Sequence, residues 1–199
     1  MWIVKLGGSL SADPLLAQWL ELLAQLGGGR VTVVCGGGSF ADEVRRLQAH
    51  WQFDDLPAHN MAVLAMAQTA YLALGLHPKL RLAASEAALR QVLHGGHTAL
   101  WLPFDQLREL PDPHTRWDNS SDSIALELAR TLNAERLVLV KSCAIDPAAS
   151  LDELSAAGVL DRRFPTLARG AAFPIDVFQG GELTRMRSLL LGDGRAPVG

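Results

Sequence analysis

Lysine is scarce in this chain, and the positions of the lysines suggest chemistry. Of the 18 basic residues only Lys5, Lys79 and Lys141 are lysines. Two of them directly follow short aliphatic runs, MWIV before Lys5 and LVLV before Lys141, which are typical of buried parallel strands. Because ligands of open α/β sheets bind outside the carboxyl ends of the strands, we expect the two ammonium groups to converge on one crevice. The alternative is that each lysine extends into solvent, but arginine would serve equally well there and the chain otherwise prefers arginine.

Two glycine-rich segments have the spacing of anion sites. Gly7-Gly8-Ser9 and Gly36-Gly37-Gly38 each lie between a predicted strand and a predicted helix. Glycine lets backbone N–H groups approach an anion, and the helix N-terminus adds its dipole. A single such turn can use glycine for backbone reasons alone. Two at one sheet edge suit a phosphoryl donor facing an acceptor. The dinucleotide pattern GxGxxG with its acidic partner and the P-loop pattern GxxxxGK[ST] are both missing, which disfavours those two classes.

A third polar cluster, residues 117–123, begins a predicted helix. Asp, Asn and Ser side chains there can cap first-turn N–H groups, and capping alone would explain one of them. Six small polar residues in succession suggest more. We expect the Asp122 carboxylate to orient a lysine ammonium, and we take Asp118 as a second candidate. The Trp117 ring beside them could stack on a flat substrate.

The elements that must position these residues alternate along the chain. The patterns predict strands over residues 2–6, 30–35, 80–83, 98–102, 136–140 and 173–178, and helices over 14–26, 39–51, 57–75, 85–94, 120–132, 150–157 and 181–191. Alternation of this kind predicts a three-layer α/β/α sandwich with a mainly parallel central sheet. With 199 residues and no linker-like segment, we expect one domain over residues 1–199.

Composition limits the partners and the location. A net charge of −3 disfavours non-specific nucleic-acid binding, and no apolar run is long enough to cross a membrane. The N-terminus lacks the features of a signal peptide. Cys35 and Cys143 are expected to be free thiols in a reducing cytoplasm. None of the six histidines has HExxH or paired spacing, so we expect no protein-held metal site.

Taken together, these segments resemble the amino acid kinase family. The resemblance rests on KLGGS at the start, VCGGGSFAD after the second strand, SSDSIALELA before the fourth major strand, and VFQGGEL followed by LLGDG near the end. A short branch of the family, implicated in making the furan part of methanofuran-type cofactors, is more closely similar. Its likeness lies at residues 58–62, 65–66 and 117–124. Its members phosphorylate an aminomethylfuran-methyl phosphate to the diphosphate.

The resemblance implies roles for the catalytic residues. It places Lys5 on the transferring phosphoryl group and makes Asp122 the carboxylate that holds the catalytic lysine. Where the family has a TDVDG-like segment, this chain has Lys141-Ser142-Cys143-Ala144-Ile145-Asp146. That departure removes the usual acidic and glycine positions beside the nucleotide, and Lys141 is expected to compensate with a second cation.

The resemblance also implies binding residues. The expected phosphate and nucleotide contacts are Gly7, Gly8 and Ser9, with the backbone N–H groups of Gly7 and Gly8 as donors. The expected acceptor contacts are Gly36, Gly37, Gly38, His59, Asp118 and Ser121. For His59, helix capping or core packing is an equally good interpretation.

These expectations describe an ATP-dependent phosphotransferase that uses Mg²⁺ and a small phosphorylated or carboxylated acceptor, best represented by aminomethylfuran-methyl phosphate. The resemblance further implies a homo-oligomer, and no nucleic-acid or membrane partner is expected. The alternative is a degenerate kinase-fold protein that binds a nucleotide or oxyanion for regulation or assembly without turnover. The altered segment after Val140 is the best support for that alternative.

Overall fold

A computed structural model describes residues 1–112, 115, 117 and 120–192. Its central element is a six-stranded sheet of order β3-β4-β2-β1-β5-β6, in which every neighbouring pair is parallel. The strands are β1 (Trp2–Leu6), β2 (Val31–Cys35), β3 (Arg81–Ala83), β4 (Ala99–Trp101), β5 (Arg136–Lys141) and β6 (Ile175–Gln179). Each lies within two residues of its predicted bounds, so the strand predictions are confirmed.

Helices connect the strands and cover both faces of the sheet. They are α1 (Leu15–Leu26), α2 (Gly38–Trp51), α3 (Asp55–Leu76), α4 (Glu86–His94), α5 (Ser121–Thr131), α6 (Leu151–Ala156), α7 (Phe164–Ala168) and α8 (Leu183–Leu191). The sequence patterns missed α7, because five residues with a proline near their start carry no helical periodicity. Within the described chain, no helix is long and apolar enough to cross a membrane.

Alternate strand residues enter two separate cores, which confirms the three-layer sandwich. Val4 and its same-side neighbours pack with α1, α3 and α8 around the fully buried Trp19. Ile3 and the residues on the opposite face pack with α4, α5 and α7 around Phe164. Because strands buried on both faces read as continuous apolar runs, the short aliphatic runs were reliable strand signals.

The order of the strands determines where a ligand can bind. The chain starts at the centre of the sheet, adds β2 on one side of β1 and later adds β5 on the other side. The crevice at such a switch point opens at the carboxyl ends of the strands. Lys5 follows Ile3 by two residues in β1, and Lys141 follows Leu139 by two residues in β5, so each lysine lies on the same face as that residue. Both lysines therefore point to the α5 face of the sheet, at adjacent strand ends.

Candidate active site

One buried carboxylate joins the two strand-end lysines. Asp122 Oδ1 lies 2.7 Å from Lys5 Nζ, and Asp122 Oδ2 lies 2.6 Å from Lys141 Nζ. The side chains of Lys5 and Asp122 are 4% and 3% exposed, and that of Lys141 is 12% exposed. The expected placement of Asp122 between two converging lysines is confirmed. Two cations and one anion leave this cluster, which we term the lysine pair, with a net positive charge.

Burial and mutual charge shift the protonation equilibria of the lysine pair. Burial opposes ionisation of Asp122, but Lys5 and Lys141 outweigh it and hold the pKa of the carboxyl below its usual value. Burial, followed by the neighbouring Lys5 charge, lowers the pKa of Lys141 to about 8 in spite of Asp122. An anionic ligand beside Lys141 would favour its protonated form.

A second carboxylate, Asp161, holds the start of α5. It accepts hydrogen bonds from the Ser120 N–H (3.2 Å) and hydroxyl (2.9 Å), and from the Ser123 N–H (3.1 Å) and hydroxyl (2.8 Å). It also accepts from the Phe164 N–H at 2.8 Å, which joins α7 to the same point. Asp161 fixes the helix turn that carries Asp122. Sequence reasoning missed it because it lies 38 to 41 residues from its serine partners.

The two glycine loops touch each other through their backbones. A Cβ added to Gly8 would lie 2.5 Å from Gly38 N, and a Cβ added to Gly36 would lie 2.5 Å from Gly8 N. Gly38 also has φ +55°, a conformation that L residues with side chains rarely adopt. The close approach brings the predicted donor and acceptor loops side by side.

The backbone N–H groups of Gly7 and Gly36 are both used within the sheet. The Gly7 N–H donates to Val140 O at 2.8 Å, and the Gly36 N–H donates to Leu6 O at 2.9 Å. Both N–H groups continue the strand pairing, so Gly7 cannot serve as a phosphate donor. Gly36 does not line the cleft above the lysine pair. In contrast, α2 begins at Gly38 without a side-chain cap, which leaves first-turn N–H groups of this 14-residue helix open to an anion.

A cleft of about 400 Å³ lies above the lysine pair and the glycine loops. Of the residues expected from the sequence, it is lined by Lys5, Gly8, Ser9, Gly37, Gly38, His59, Ser121, Asp122 and Lys141. The Ser9 and Ser142 hydroxyls share a hydrogen bond of 2.6 Å, which ties the first glycine loop to the segment after β5. Asp118 lies outside the described residues.

The opposite wall of the cleft is formed by α2, α3 and Trp117. Asp55 and His59 lie one turn apart on α3, and both line the cleft. The Trp117 indole Nε1–H donates to Gln48 Oε1 at 2.5 Å, and the Arg45 guanidinium lies 4.6 Å from the ring centroid. Arg45, Gln48 and Asp55 were missed by sequence reasoning, since a polar residue on an exposed helix face carries no local signal of a distant partner.

The cysteines and possible metal ligands lie apart from this chemistry. Cys35 and Cys143 are both free, Cys35 buried and Cys143 exposed. Burial raises the pKa of the Cys35 thiol to about 12, so it stays protonated. Across the residues that the structure describes, no three His, Cys, Asp or Glu side chains converge as metal ligands.

Known proteins resemble this chain in sequence and in fold. The sequence profile of the amino acid kinase family matches residues 1–144. The chain is 26% identical over 143 residues to a [5-(aminomethyl)furan-3-yl]methyl phosphate kinase of Methanocaldococcus jannaschii, an alignment that covers 70% of this chain and 64% of that protein. The chain thus spans less than two thirds of the length of this curated relative.

Two solved structures share the fold. A UMP kinase of Bacillus anthracis superposes with a TM-score of 0.68 at 19% identity, covering 96% of this chain and 91% of that one. A uridylate kinase of Archaeoglobus fulgidus superposes with a TM-score of 0.70 at 13% identity, covering 96% of this chain and 95% of that one.

Proposed function

The chain belongs to the amino acid kinase family, and we propose that it is an ATP-dependent phosphotransferase acting on a small phosphorylated acceptor. The best candidate acceptor is [5-(aminomethyl)furan-3-yl]methyl phosphate, which would be converted to the diphosphate. The observation that carries the proposal is the lysine pair, two ammonium groups on one buried carboxylate at the floor of a cleft.

The charge of the lysine pair favours an anionic ligand. A net positive charge removed from water is costly unless it is paired. Of the described carboxylates, Asp122 is the one in direct contact with the two ammonium groups, and Asp161 acts on Lys141 from farther away. A phosphate in the cleft would supply the missing negative charge. It would also accept hydrogen bonds from the first-turn N–H groups of α2. Lys141, at the start of the altered segment, therefore contributes a cation to the cleft.

In-line phosphoryl transfer needs positioning and charge stabilisation more than covalent chemistry. In this proposal Lys5 and Lys141 stabilise the negative charge that spreads over the transferring phosphoryl oxygens. Asp122 holds both ammonium groups in place and does not take up a proton, since its pKa is lowered. The terminal oxygen of the acceptor phosphate is the nucleophile, so no enzyme group has to become covalently attached.

The glycine loops supply backbone donors on the two sides of the reaction. All four of Gly8, Ser9, Gly37 and Gly38 line the cleft. In this proposal Gly8 and Ser9 contact the nucleotide, and Gly37 and Gly38 contact the acceptor. Because the loops touch at Gly8 and Gly38, phosphates bound to them would be neighbours. That proximity is the geometric requirement for transfer.

The described residues contain no cluster of three or more His, Cys, Asp or Glu side chains that could enclose a metal ion. In this proposal Mg²⁺ enters with the phosphates of ATP, as is usual for a cation that keeps few protein ligands, and no step depends on a residue that coordinates it.

The relative's name supports the choice of acceptor, and transfer assays test it. Purified protein is incubated with ATP, Mg²⁺ and the aminomethylfuran phosphate, and the diphosphate and ADP are followed by mass spectrometry. UMP and other phosphomonoesters form the comparison panel, because the fold neighbours are uridylate kinases. We expect the furan phosphate to have the highest kcat/KM of the panel.

Two results would overturn the proposal. If no panel member receives a phosphoryl group while ATP or phosphate still binds, the non-catalytic alternative is correct. If UMP is preferred, the reaction class stands and the acceptor is wrong. The expected homo-oligomer is tested on the same sample by light scattering coupled to gel filtration.

A further inference from the structure

The far wall of the cleft differs in charge from the lysine pair. Asp55 and His59, one turn apart on α3, face the cleft together with Trp117. We term these three residues the far-wall subsite. A role for this subsite in acceptor binding rests on the proposed function, and it concerns the end of the acceptor that does not react.

Asp55 is an exposed carboxylate in the first turn of α3. Its Oδ1 accepts a hydrogen bond from Gln48 Nε2 at 3.0 Å, and no described Lys, Arg or His lies within ion-pair distance. The other cleft carboxylate on this wall, Asp42, differs because Arg45 Nη1 lies 2.6 Å from it. Asp55 is therefore the carboxylate of this wall that is open to a cationic ligand.

His59 adds a directed hydrogen-bond acceptor. The residue is only 9% exposed, and its Nε2 lies 3.0 Å from Gln106 O. A carbonyl oxygen only accepts, so the proton of the neutral ring is on Nε2 and Nδ1 carries a lone pair. No described residue hydrogen-bonds to Nδ1. The ring lines the cleft, so this lone pair can accept a hydrogen bond from a donor on the ligand.

Trp117 adds a fixed planar surface. Gln48 ties the indole to Asp55, because its Oε1 accepts from Trp117 Nε1 while its Nε2 donates to Asp55. Arg45 packs over the ring at 4.6 Å from the centroid. An indole held in this way keeps its orientation when a flat ring stacks on it.

We propose that the far-wall subsite binds a protonated primary amine on the acceptor, with Asp55 as counter-ion, His59 Nδ1 as hydrogen-bond acceptor and Trp117 as the surface for the acceptor's ring. The acceptor then lies across the cleft, with its phosphate on the lysine pair and its ammonium group on α3. This charge pattern selects molecules that are anionic at one end and cationic at the other, and it discriminates against phosphates that lack the amine.

Two matched acceptors test the subsite, the aminomethylfuran phosphate and its analogue with methyl in place of aminomethyl. Binding to the full chain is measured by titration calorimetry, without dependence on turnover. Because Asp55 is exposed, its ion pair is screened by water and contributes less than a buried one, and we expect the wild type to bind the amine about 5- to 20-fold more tightly. Asp55→Asn keeps the hydrogen bond from Gln48 but removes the charge, and should reduce that preference to about threefold or less.

Asp54→Asn is the matched control. Asp54 is the neighbouring carboxylate, makes no side-chain cap at the start of α3 and does not line the cleft, so its variant should keep the wild-type preference. Trp117→Leu should weaken both acceptors equally, because both share the ring.

The outcomes separate the subsite from the proposed function. Equal wild-type affinity for the two compounds, no binding of either, or a preference that survives Asp55→Asn would each overturn the subsite. Formation of diphosphate is measured in parallel. A strong amine preference without transfer would support the subsite and count against the kinase proposal. Equal affinity for the two compounds, with transfer to both, would overturn the subsite and support the kinase proposal.

Discussion

Replacing Asp122 with asparagine isolates the electrostatics of the lysine pair. Asparagine has nearly the same shape but no charge, so two ammonium groups that now lie 2.7 and 2.6 Å from a carboxylate would face a neutral amide. Removing one member of a buried ion pair typically costs about 3–5 kcal/mol of unfolding free energy. We expect Asp122→Asn to lose that amount at pH 7, a large part of the stability of an ordinary domain.

The penalty should depend on pH in a defined direction. The pKa of Lys141 is already lowered to about 8, and loss of Asp122 should lower it further, because Asp122 favours the charged form. Between pH 7 and 8 the native wild type then holds a proton that the native variant lacks, so the variant gains stability with pH faster than the wild type. The penalty should shrink by about 1 kcal/mol over that pH unit and then level off.

Urea denaturation at pH 7 and pH 9 measures these differences. The matched control is Asp152→Asn, an exposed carboxylate in the first turn of α6, where a change of about 0.5 kcal/mol or less is expected. Lys141→Met in the Asp122→Asn background should restore part of the lost stability, because it removes one of the two unpaired cations. A penalty below about 1 kcal/mol, or an equal penalty at both pH values, would refute the electrostatic reasoning.

Three further predictions concern ligands and loops. Lys5→Met should reduce kcat by at least about a hundredfold while circular dichroism stays unchanged, and near wild-type turnover would exclude Lys5 from the mechanism. Phosphate-ligand affinity should fall, by up to about tenfold per pH unit, as the pH rises through the pKa of Lys141 near 8. Lys141→Met should flatten that profile in calorimetric titrations, and a profile unchanged in this variant would assign it to another group. Gly8→Ala should lower both the melting temperature and phosphate affinity, because its Cβ would lie 2.5 Å from Gly38 N. Gly75→Ala, where a Cβ would meet nothing within 4 Å, should raise the melting temperature slightly, and equal behaviour of the two alanine variants would contradict the loop contact.

Local patterns were sufficient to place the strands and the lysines. Short aliphatic runs identify parallel strands because both faces of such strands are buried. Once the strands are parallel, their carboxyl ends must lie at one edge of the sheet, so the residues at those ends come together. That reasoning predicted the meeting of Lys5, Lys141 and Asp122 without any knowledge of distances.

Local patterns could not show how each backbone group is used. Gly7 and Gly36 have the same sequence signature as their neighbours, yet their N–H groups continue the sheet towards Val140 and Leu6. Which glycine N–H remains open to a phosphate depends on where strand pairing stops, and that is decided by the register between strands.

The sequence by itself determined the alternation of elements, the family, and the residue types at the ends of β1 and β5, because these follow from patterns within a few residues. Only the tertiary structure decided that Asp161 holds the start of α5 and that Gln48 joins Trp117 to Asp55. The Trp117–Gln48 bond spans 69 residues, and the Asp161–Ser120 bond spans 41. Polar side chains have no periodic signal that identifies a distant partner. Their pairing follows from packing of the apolar faces, which brings the helices together first and leaves the buried polar groups to satisfy one another.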